Sequence, residues 1–128
     1  MKLRIQGNSL RLRLSQSEVA QFSKTGFVED GVDFAPGIRF VYTMETSSTL
    51  PAPQASYQDH WLRIQVPSTA AKEWFTSDRV AISADQPIES GKALSILIEK
   101  DFQCLHGDVA RDPDAYPNPL EETASPRS

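Results

Sequence analysis

The chain has 128 residues, of which 39% are hydrophobic and 23% are charged. This length fits one domain with its own core, and the composition is typical of a globular protein rather than of a disordered or membrane-spanning one. A formal net charge of −4 and a sequence pI near 5.1 argue against a protein that coats nucleic acid or anionic lipid through its overall charge.

The first fourteen residues alternate apolar and polar side chains on both sides of Gly7-Asn8, a pair that tolerates a tight turn. We predict a hairpin with one apolar and one basic face, the basic side chains being Lys2, Arg4, Arg11 and Arg13. This start lacks the continuous apolar run of a secretory signal, and no stretch approaches the ~18 apolar residues of a spanning helix. With Cys104 as the single cysteine, we expect a cytoplasmic protein without a membrane partner.

A capped helix and two strands are predicted next. Ser15 and Glu18 have the spacing of a capping box, and the helix is expected over residues 16–24 with Gly26 ending it. Strands over residues 27–34 and 38–45 are joined by the turn signal Ala35-Pro36-Gly37. Residues 46–53 are rich in Ser, Thr and Pro and are predicted to be a linker.

The second half repeats the plan of the first. At an offset of 52 positions, Leu10, Leu12 and Leu14 recur as Leu62, Ile64 and Val66, Phe22 as Trp74, and Val28 as Val80. At an offset of 56, Ile38, Phe40 and Tyr42 recur as Leu94, Ile96 and Ile98. The matched residues are predicted to point inward, because they fall at positions where a core would need them. The predicted elements are strands over residues 54–58, 61–66, 79–84 and 93–100, with a helix after Pro67-Ser68. The internal repeat thus spans residues 1–45 and 54–100.

These elements predict a mainly β (α+β) fold. Its two strand-strand-helix-strand-strand halves are expected to interleave around a pseudo-two-fold axis into a small β-barrel-like domain, because closure removes exposed strand edges. The single domain is predicted to span residues 1–119. Residues 120–128 are polar and are predicted to be a disordered tail.

The aromatic and arginine residues of the strands are candidates for a binding surface. Trp61 aligns with the polar Ser9, which predicts an exposed ring rather than a core one. If the halves are related by a two-fold axis, Trp61 and Arg63 would share a shallow face with Arg11 and Arg13. The alternative is that Trp61 caps one end of the barrel.

A second candidate site surrounds the single cysteine. Cys104 and His106, with Asp101 nearby, have residue types that bind metal or activate a thiol. Structural zinc usually needs four ligands at recognisable spacings, which this segment does not supply, and a half-buried structural cysteine is the commoner role. We therefore predict no cofactor, and keep a metal- or thiol-dependent enzyme as an alternative.

Residues 1–14, the block Glu99 to Leu105 and the segment Tyr116-Pro117-Asn118-Pro119 resemble a family of small bacterial proteins of unknown function. The resemblance covers nearly the whole chain and implies no activity. It implies that the block and the Tyr116 segment recur as units, so that the tail packs back on the barrel rather than drifting.

The basic alternation, the capped helix and the two following strands also resemble the AbrB and MazE swapped-hairpin domains. In that family basic strands of a two-fold barrel contact DNA. The positions that match in type are Lys2, Arg4, Asn8, Arg11 and Arg13. The second half departs from the pattern, since Arg63 and Gln65 stand where the first half has Arg11 and Arg13, and a one-sided basic surface implies weak DNA binding.

The sequence therefore favours a non-catalytic binding or interaction module. We expect it to bind an unknown protein or small ligand through Arg11, Arg13, Trp61 and Arg63, or through the tail around Tyr116. An AbrB-like DNA-binding protein and an enzyme centred on Cys104 and His106 are the alternatives. The sequence leaves the oligomeric state open.

Overall fold

The computed structural model describes residues 1–101, which form eight β-strands and two α-helices. The elements are β1 (Lys2–Gln6), β2 (Ser9–Leu14), α1 (Gln16–Thr25), β3 (Phe27–Ala35), β4 (Ile38–Ser47), β5 (Gln54–Gln58), β6 (Trp61–Pro67), α2 (Ser68–Thr76), β7 (Ala81–Glu89) and β8 (Lys92–Lys100). The mainly β prediction is confirmed. Several predictions concern residues outside this range: the ends of the domain and of the tail, and the candidate site residues Cys104, His106 and Tyr116.

Local sequence signals form most elements near their predicted positions, although β7 covers Ala81–Glu89 rather than residues 79–84. In the capping box, the Glu18 N–H donates to Ser15 Oγ (3.3 Å) and the Ser15 N–H donates to Glu18 Oε1 (2.8 Å). Gly26 ends α1 in the left-handed region, with φ 73°, and its N–H donates to the Phe22 carbonyl. The turn between β5 and β6 places Asp59 and His60 at positive φ, so both are turn residues.

The strands form two four-stranded sheets rather than one closed barrel. The first sheet has the order β1-β2-β8-β7 and the second has the order β3-β4-β6-β5. Each sheet joins two antiparallel hairpins through one parallel pair, β2 with β8 and β4 with β6. The barrel prediction is therefore wrong for residues 1–101. Both sheets bury their inner faces in one shared core, so burial of the apolar faces does not require closure.

The core is built from the alternate residues of the central strands and from the helices. Phe22 of α1 and Trp74 of α2 are fully buried and meet edge to face, with ring centroids 6.2 Å apart. The Trp74 indole N–H donates to the Val80 carbonyl (2.9 Å), which satisfies the polar edge of a buried ring. The strand residues in this core include Leu10, Leu12, Leu14, Met44, Leu62, Ile64, Val66, Ile82, Ile96 and Ile98.

Two residues that the repeat placed inward are instead exposed. Ile38 and Val80 are each 44% exposed. β4 pairs with β6 only from Val41 onward, so Ile38 lies on an end of the β3–β4 hairpin that extends beyond β6. Val80 precedes β7, and the buried residue of that region is Ile82. The offsets of 52 and 56 therefore fail at these two positions.

The α-amino group of Met1 lies between two carboxylates. It contacts Glu18, lies 3.2 Å from Asp30 Oδ2, and the Met1 carbonyl accepts a hydrogen bond from the Tyr42 hydroxyl (2.6 Å). Burial raises the pKa of Glu18. The ammonium group and the Ser15 N–H together lower it by more, so the pKa lies below its usual value of 4.5. For Asp30 the Gly31 N–H and the ammonium group likewise outweigh burial, and its pKa lies below 3.8. This cluster ties the chain start to α1 and β3.

Candidate interaction surfaces

The structure places the four strand residues of the predicted binding surface on two different sheets. Arg11 and Arg13 lie on β2 of the first sheet, whereas Trp61 and Arg63 lie on β6 of the second. On both strands these residues alternate with buried ones, so they occupy the face that points away from the core. The predicted composite face is thus divided into two surfaces.

The first surface is the outer side of β1, β2 and the end of β8. We call it the basic face and define it by Lys2, Arg4, Arg11, Arg13, Glu99 and Asp101. Strand register sets Lys2 opposite Arg13 and Arg4 opposite Arg11, which brings two pairs of cations together. Such pairs repel unless anions lie between them, and the two acidic residues at the end of β8 supply that charge.

Glu99 holds the two arginines of β2. Its Oε1 lies 2.8 Å from Arg11 Nε and 3.4 Å from Arg13 Nε, and its side chain is 17% exposed. Burial raises the pKa of Glu99, but the hydrogen bonds and positive charges of Arg11 and Arg13 outweigh it and hold the pKa below 4.5. Glu99 is therefore ionised at neutral pH and fixes the outer side of the β2–β8 pair.

Asp101 anchors the chain at the edge of this face. Its N–H donates to the Leu14 carbonyl (2.8 Å), and its carboxylate lies 3.5 Å from Lys2 Nζ and 3.8 Å from Arg13 Nη1. The side chain is 8% exposed. Asp101 is also the one residue of the predicted metal or thiol site that lies within the described residues. Its carboxylate lies among cations, which disfavours metal binding there.

Two depressions mark the basic face. One has a volume of about 140 Å³ and is lined by Lys2, Leu3, Arg4, Arg11 and Arg13. The other has a volume of about 250 Å³, and Leu97 and Ser95 of β8 contribute to its wall beside Arg4 and Arg11. The half-buried Leu97 adds an apolar spot to an otherwise charged lining. The two depressions share Arg4 and Arg11, so the cationic lining is continuous.

The second surface is the outer side of β4 and β6, which we call the tryptophan face and define by Thr43, Glu45, Trp61 and Arg63. The Trp61 indole N–H donates to Thr43 Oγ1 (2.9 Å), and Arg63 Cζ lies 5.3 Å from the Trp61 ring centroid. Arg63 Nε and Nη2 donate to the two oxygens of Glu45 at 2.9 and 3.1 Å, and this hydrogen bonding raises the pKa of Arg63. The polar groups of this face are largely satisfied by one another.

A family model for proteins of unknown function, DUF7009, matches residues 1–120. The chain belongs to this family. Neither the comparison with curated proteins nor that with solved structures gives a significant match. The resemblance to an uncharacterised family is confirmed, and the AbrB-like resemblance is not. The DUF7009 match includes both surfaces and continues past Asp101 to the three acids Asp108, Asp112 and Asp114.

Asn8 of the DUF7009 chain has a structural role. Its Nδ2 donates to the Ala93 carbonyl (2.8 Å), and its own carbonyl accepts the Ser95 N–H (3.1 Å). These bonds join the β1–β2 turn to β8. The other AbrB-matching residues, Lys2, Arg4, Arg11 and Arg13, all belong to the basic face. Asn8, one of the residues predicted to contact DNA, thus bonds to the protein's own backbone.

Within residues 1–101 the DUF7009 chain carries few other features of a chemical site. In that range no group of three or more His, Cys, Asp or Glu side chains is arranged to hold a metal ion. Neither helix there is long and apolar enough to cross a membrane. The sequence singled out Glu99 only as the first residue of the block Glu99 to Leu105, and nothing in it singled out Glu45. The sequence shows that Glu45 and Glu99 alternate with residues that become buried. It does not show their arginine partners, because those depend on which strands pair.

Proposed function

We propose that the protein is a non-catalytic interaction module that binds an acidic polypeptide segment through the basic face. The observation that carries this proposal is the register of β1 and β2, which sets Lys2 opposite Arg13 and Arg4 opposite Arg11. Four cations on one hairpin face contrast with a chain whose formal net charge is −4. A local patch of the opposite sign steers and orients a charged partner.

The chemistry of the face favours carboxylates as ligands. Residues two apart on a strand are about 7 Å apart on one face, which is also the spacing of alternate side chains in an extended acidic segment. Arginine guanidinium groups bind carboxylates in paired geometry, as Arg63 does with Glu45 within the chain. Leu97 offers an apolar contact between the charges.

DNA binding is the second candidate, and one observation favours it. The cations lie on a β-hairpin, an element that reads grooves in some DNA-binding proteins. Glu99 and Asp101 oppose it because each brings negative charge to the face on which a phosphate backbone would lie. The single cysteine supports a cytoplasmic setting for either partner.

We also infer that the two halves are copies of one hairpin-exchanging unit. The parallel pair β2–β8 in the first sheet has its counterpart in β6–β4 of the second. An Arg-to-Glu contact spans each pair, Arg11 with Glu99 and Arg63 with Glu45. In the first copy this contact is surrounded by further cations, and in the second by Trp61. The copies thus differ where a partner would bind, which supports a role for one face only.

Binding of a labelled oligoglutamate peptide, measured by fluorescence polarisation against salt, tests the function. We expect the double variant Lys2→Ala and Arg4→Ala to weaken the affinity about tenfold, equivalent to about 1.4 kcal/mol. A mixed-sequence DNA duplex of matched charge serves as the competing probe. Tighter binding of the duplex, with loss in the same variant, would support the DNA-binding candidate instead.

The matched control removes two exposed lysines outside the basic face, Lys72→Ala and Lys92→Ala. It is expected to bind the peptide as the unmodified chain does. An equal loss of affinity in both double variants would mean that overall charge, and not the basic face, attracts the peptide. That result would reject the proposal.

A further inference from the structure

The described chain ends at the edge of the basic face. β8 runs antiparallel to β7 and parallel to β2, and Asp101 follows it beside Leu14, the last residue of β2. The contacts of Asp101 with Lys2 and Arg13 hold the residue after β8 next to these cations. Residues 102–128 therefore begin next to the proposed binding surface.

The remaining residues have the charge that this surface attracts. Residues 102–128 contain five acids and two arginines, the acids being Asp108, Asp112, Asp114, Glu121 and Glu122. The first three lie within the span matched by the family model. At about 3.3 Å per residue, the chain from Asp101 to Asp114 can extend about 40 Å, twice the roughly 20 Å length of β2. These acids can therefore reach every cation of the face.

We infer that residues 102–120 dock on the basic face of the same molecule and compete there with an acidic partner. This inference rests on the proposed function, because competition requires that a partner use the face. A tethered segment acts at an effective concentration in the millimolar range, so weak individual charge contacts suffice. If the docked state holds about nine-tenths of the molecules, a partner's apparent affinity falls about tenfold.

The test neutralises the three family-matched acids in the full chain, as Asp108→Asn, Asp112→Asn and Asp114→Asn. The matched control neutralises three exposed acids elsewhere, as Asp59→Asn, Asp78→Asn and Glu89→Gln. Two readouts are compared. The first is the NMR spectrum of the Arg11 and Arg13 Nε–H groups and of the β1 and β2 amides, without any ligand. The second is the affinity for the oligoglutamate peptide.

Docking predicts that the tail variant shifts the Nε–H signals of Arg11 and Arg13, whereas the control variant leaves them in place. High salt should move the spectrum of the unmodified chain toward that of the tail variant, because charge contacts between exposed groups are screened. The tail variant should bind the peptide about tenfold more tightly than the unmodified chain, and the control variant should not.

Each contrary result has one meaning. Unchanged Arg11 and Arg13 signals in the tail variant overturn the docking, whatever the peptide affinity. Shifted signals with equal peptide affinity in all three proteins overturn the competition. Shifted signals without peptide binding in any protein reject the proposed function, and retain docking as a contact within the chain.

Discussion

Glu99 Oε1 lies 2.8 Å from the Nε of Arg11, a residue 88 positions away in the chain. This contact spans the parallel pair β2–β8, the pair that joins the N-terminal hairpin to the C-terminal one. The same carboxylate oxygen lies 3.4 Å from Arg13 Nε. One acid thus offsets repulsion between two neighbouring guanidinium groups and holds the outer side of the first sheet together.

Glu99→Gln should lower the free energy of unfolding by about 1 kcal/mol, since it removes a partly buried, charge-assisted contact and leaves two cations beside each other. Urea unfolding followed by circular dichroism measures the change. Glu89→Gln, at an exposed position, is the control and should be neutral. Under the proposed function the same Glu99→Gln variant should bind oligoglutamate more tightly. Unaltered stability would show that Glu99 contributes no net free energy to the sheet pairing.

Stability should decline at acid pH. The folded-state pKa values of Glu18, Asp30 and Glu99 lie below the usual 4.5, 3.8 and 4.5, so these groups stabilise the fold fully at pH values above that range. As the pH falls through the lowered values, the folded chain must take up protons and the contribution is lost. Urea midpoints measured from pH 7 to pH 3 should fall mainly below about pH 4.5.

A triple variant, Glu18→Gln, Asp30→Asn and Glu99→Gln, serves as the comparison for this pH dependence. It should be less stable than the unmodified chain at pH 7 and should lose less stability on acidification. Parallel pH profiles for the two proteins would assign the acid response to other carboxylates.

Trp74→Ala should destabilise the fold by about 3–5 kcal/mol, because it empties a fully buried site between the helices and the sheets. Trp61→Ala should cost about 1 kcal/mol or less, since that ring is 40% exposed. Thermal unfolding of both variants gives the comparison. In tryptophan fluorescence, the Trp61→Ala variant should retain the blue-shifted emission of a buried indole. Equal destabilisation by the two changes would contradict the assigned core.

Gly26→Ala should be more destabilising than Gly37→Ala, although both glycines have positive φ, of 73° and 77°. A Cβ at Gly26 would lie 2.8 Å from Thr46 Oγ1, whereas a Cβ at Gly37 would meet nothing within 4 Å. We expect a cost of about 2 kcal/mol at Gly26 and about 1 kcal/mol at Gly37. The difference in urea midpoint isolates the steric part, and a larger effect at Gly37 would contradict this account of the α1 cap.

Much of the local structure was predictable because its causes are local. The capping box of Ser15 and Glu18 starts α1 at the predicted residue, and Gly26 ends it, because both signals act through neighbouring backbone groups. The alternation of leucines and arginines on β2 correctly separates an inner from an outer face. The same reasoning placed Ile38 inward and was wrong, because burial there depends on where β6 begins to pair.

The sequence by itself determined the elements, their amphipathic faces and the concentration of cations in the first hairpin, since each follows from residues close together in the chain. Only the tertiary structure decided that two sheets form, that Arg11 and Trp61 lie on different ones, and that Glu99 stands beside Arg11. Strand partners are chosen by the free energy of burying a whole core. Many short apolar strands could satisfy the same alternation, so no local pattern specifies which of them meet.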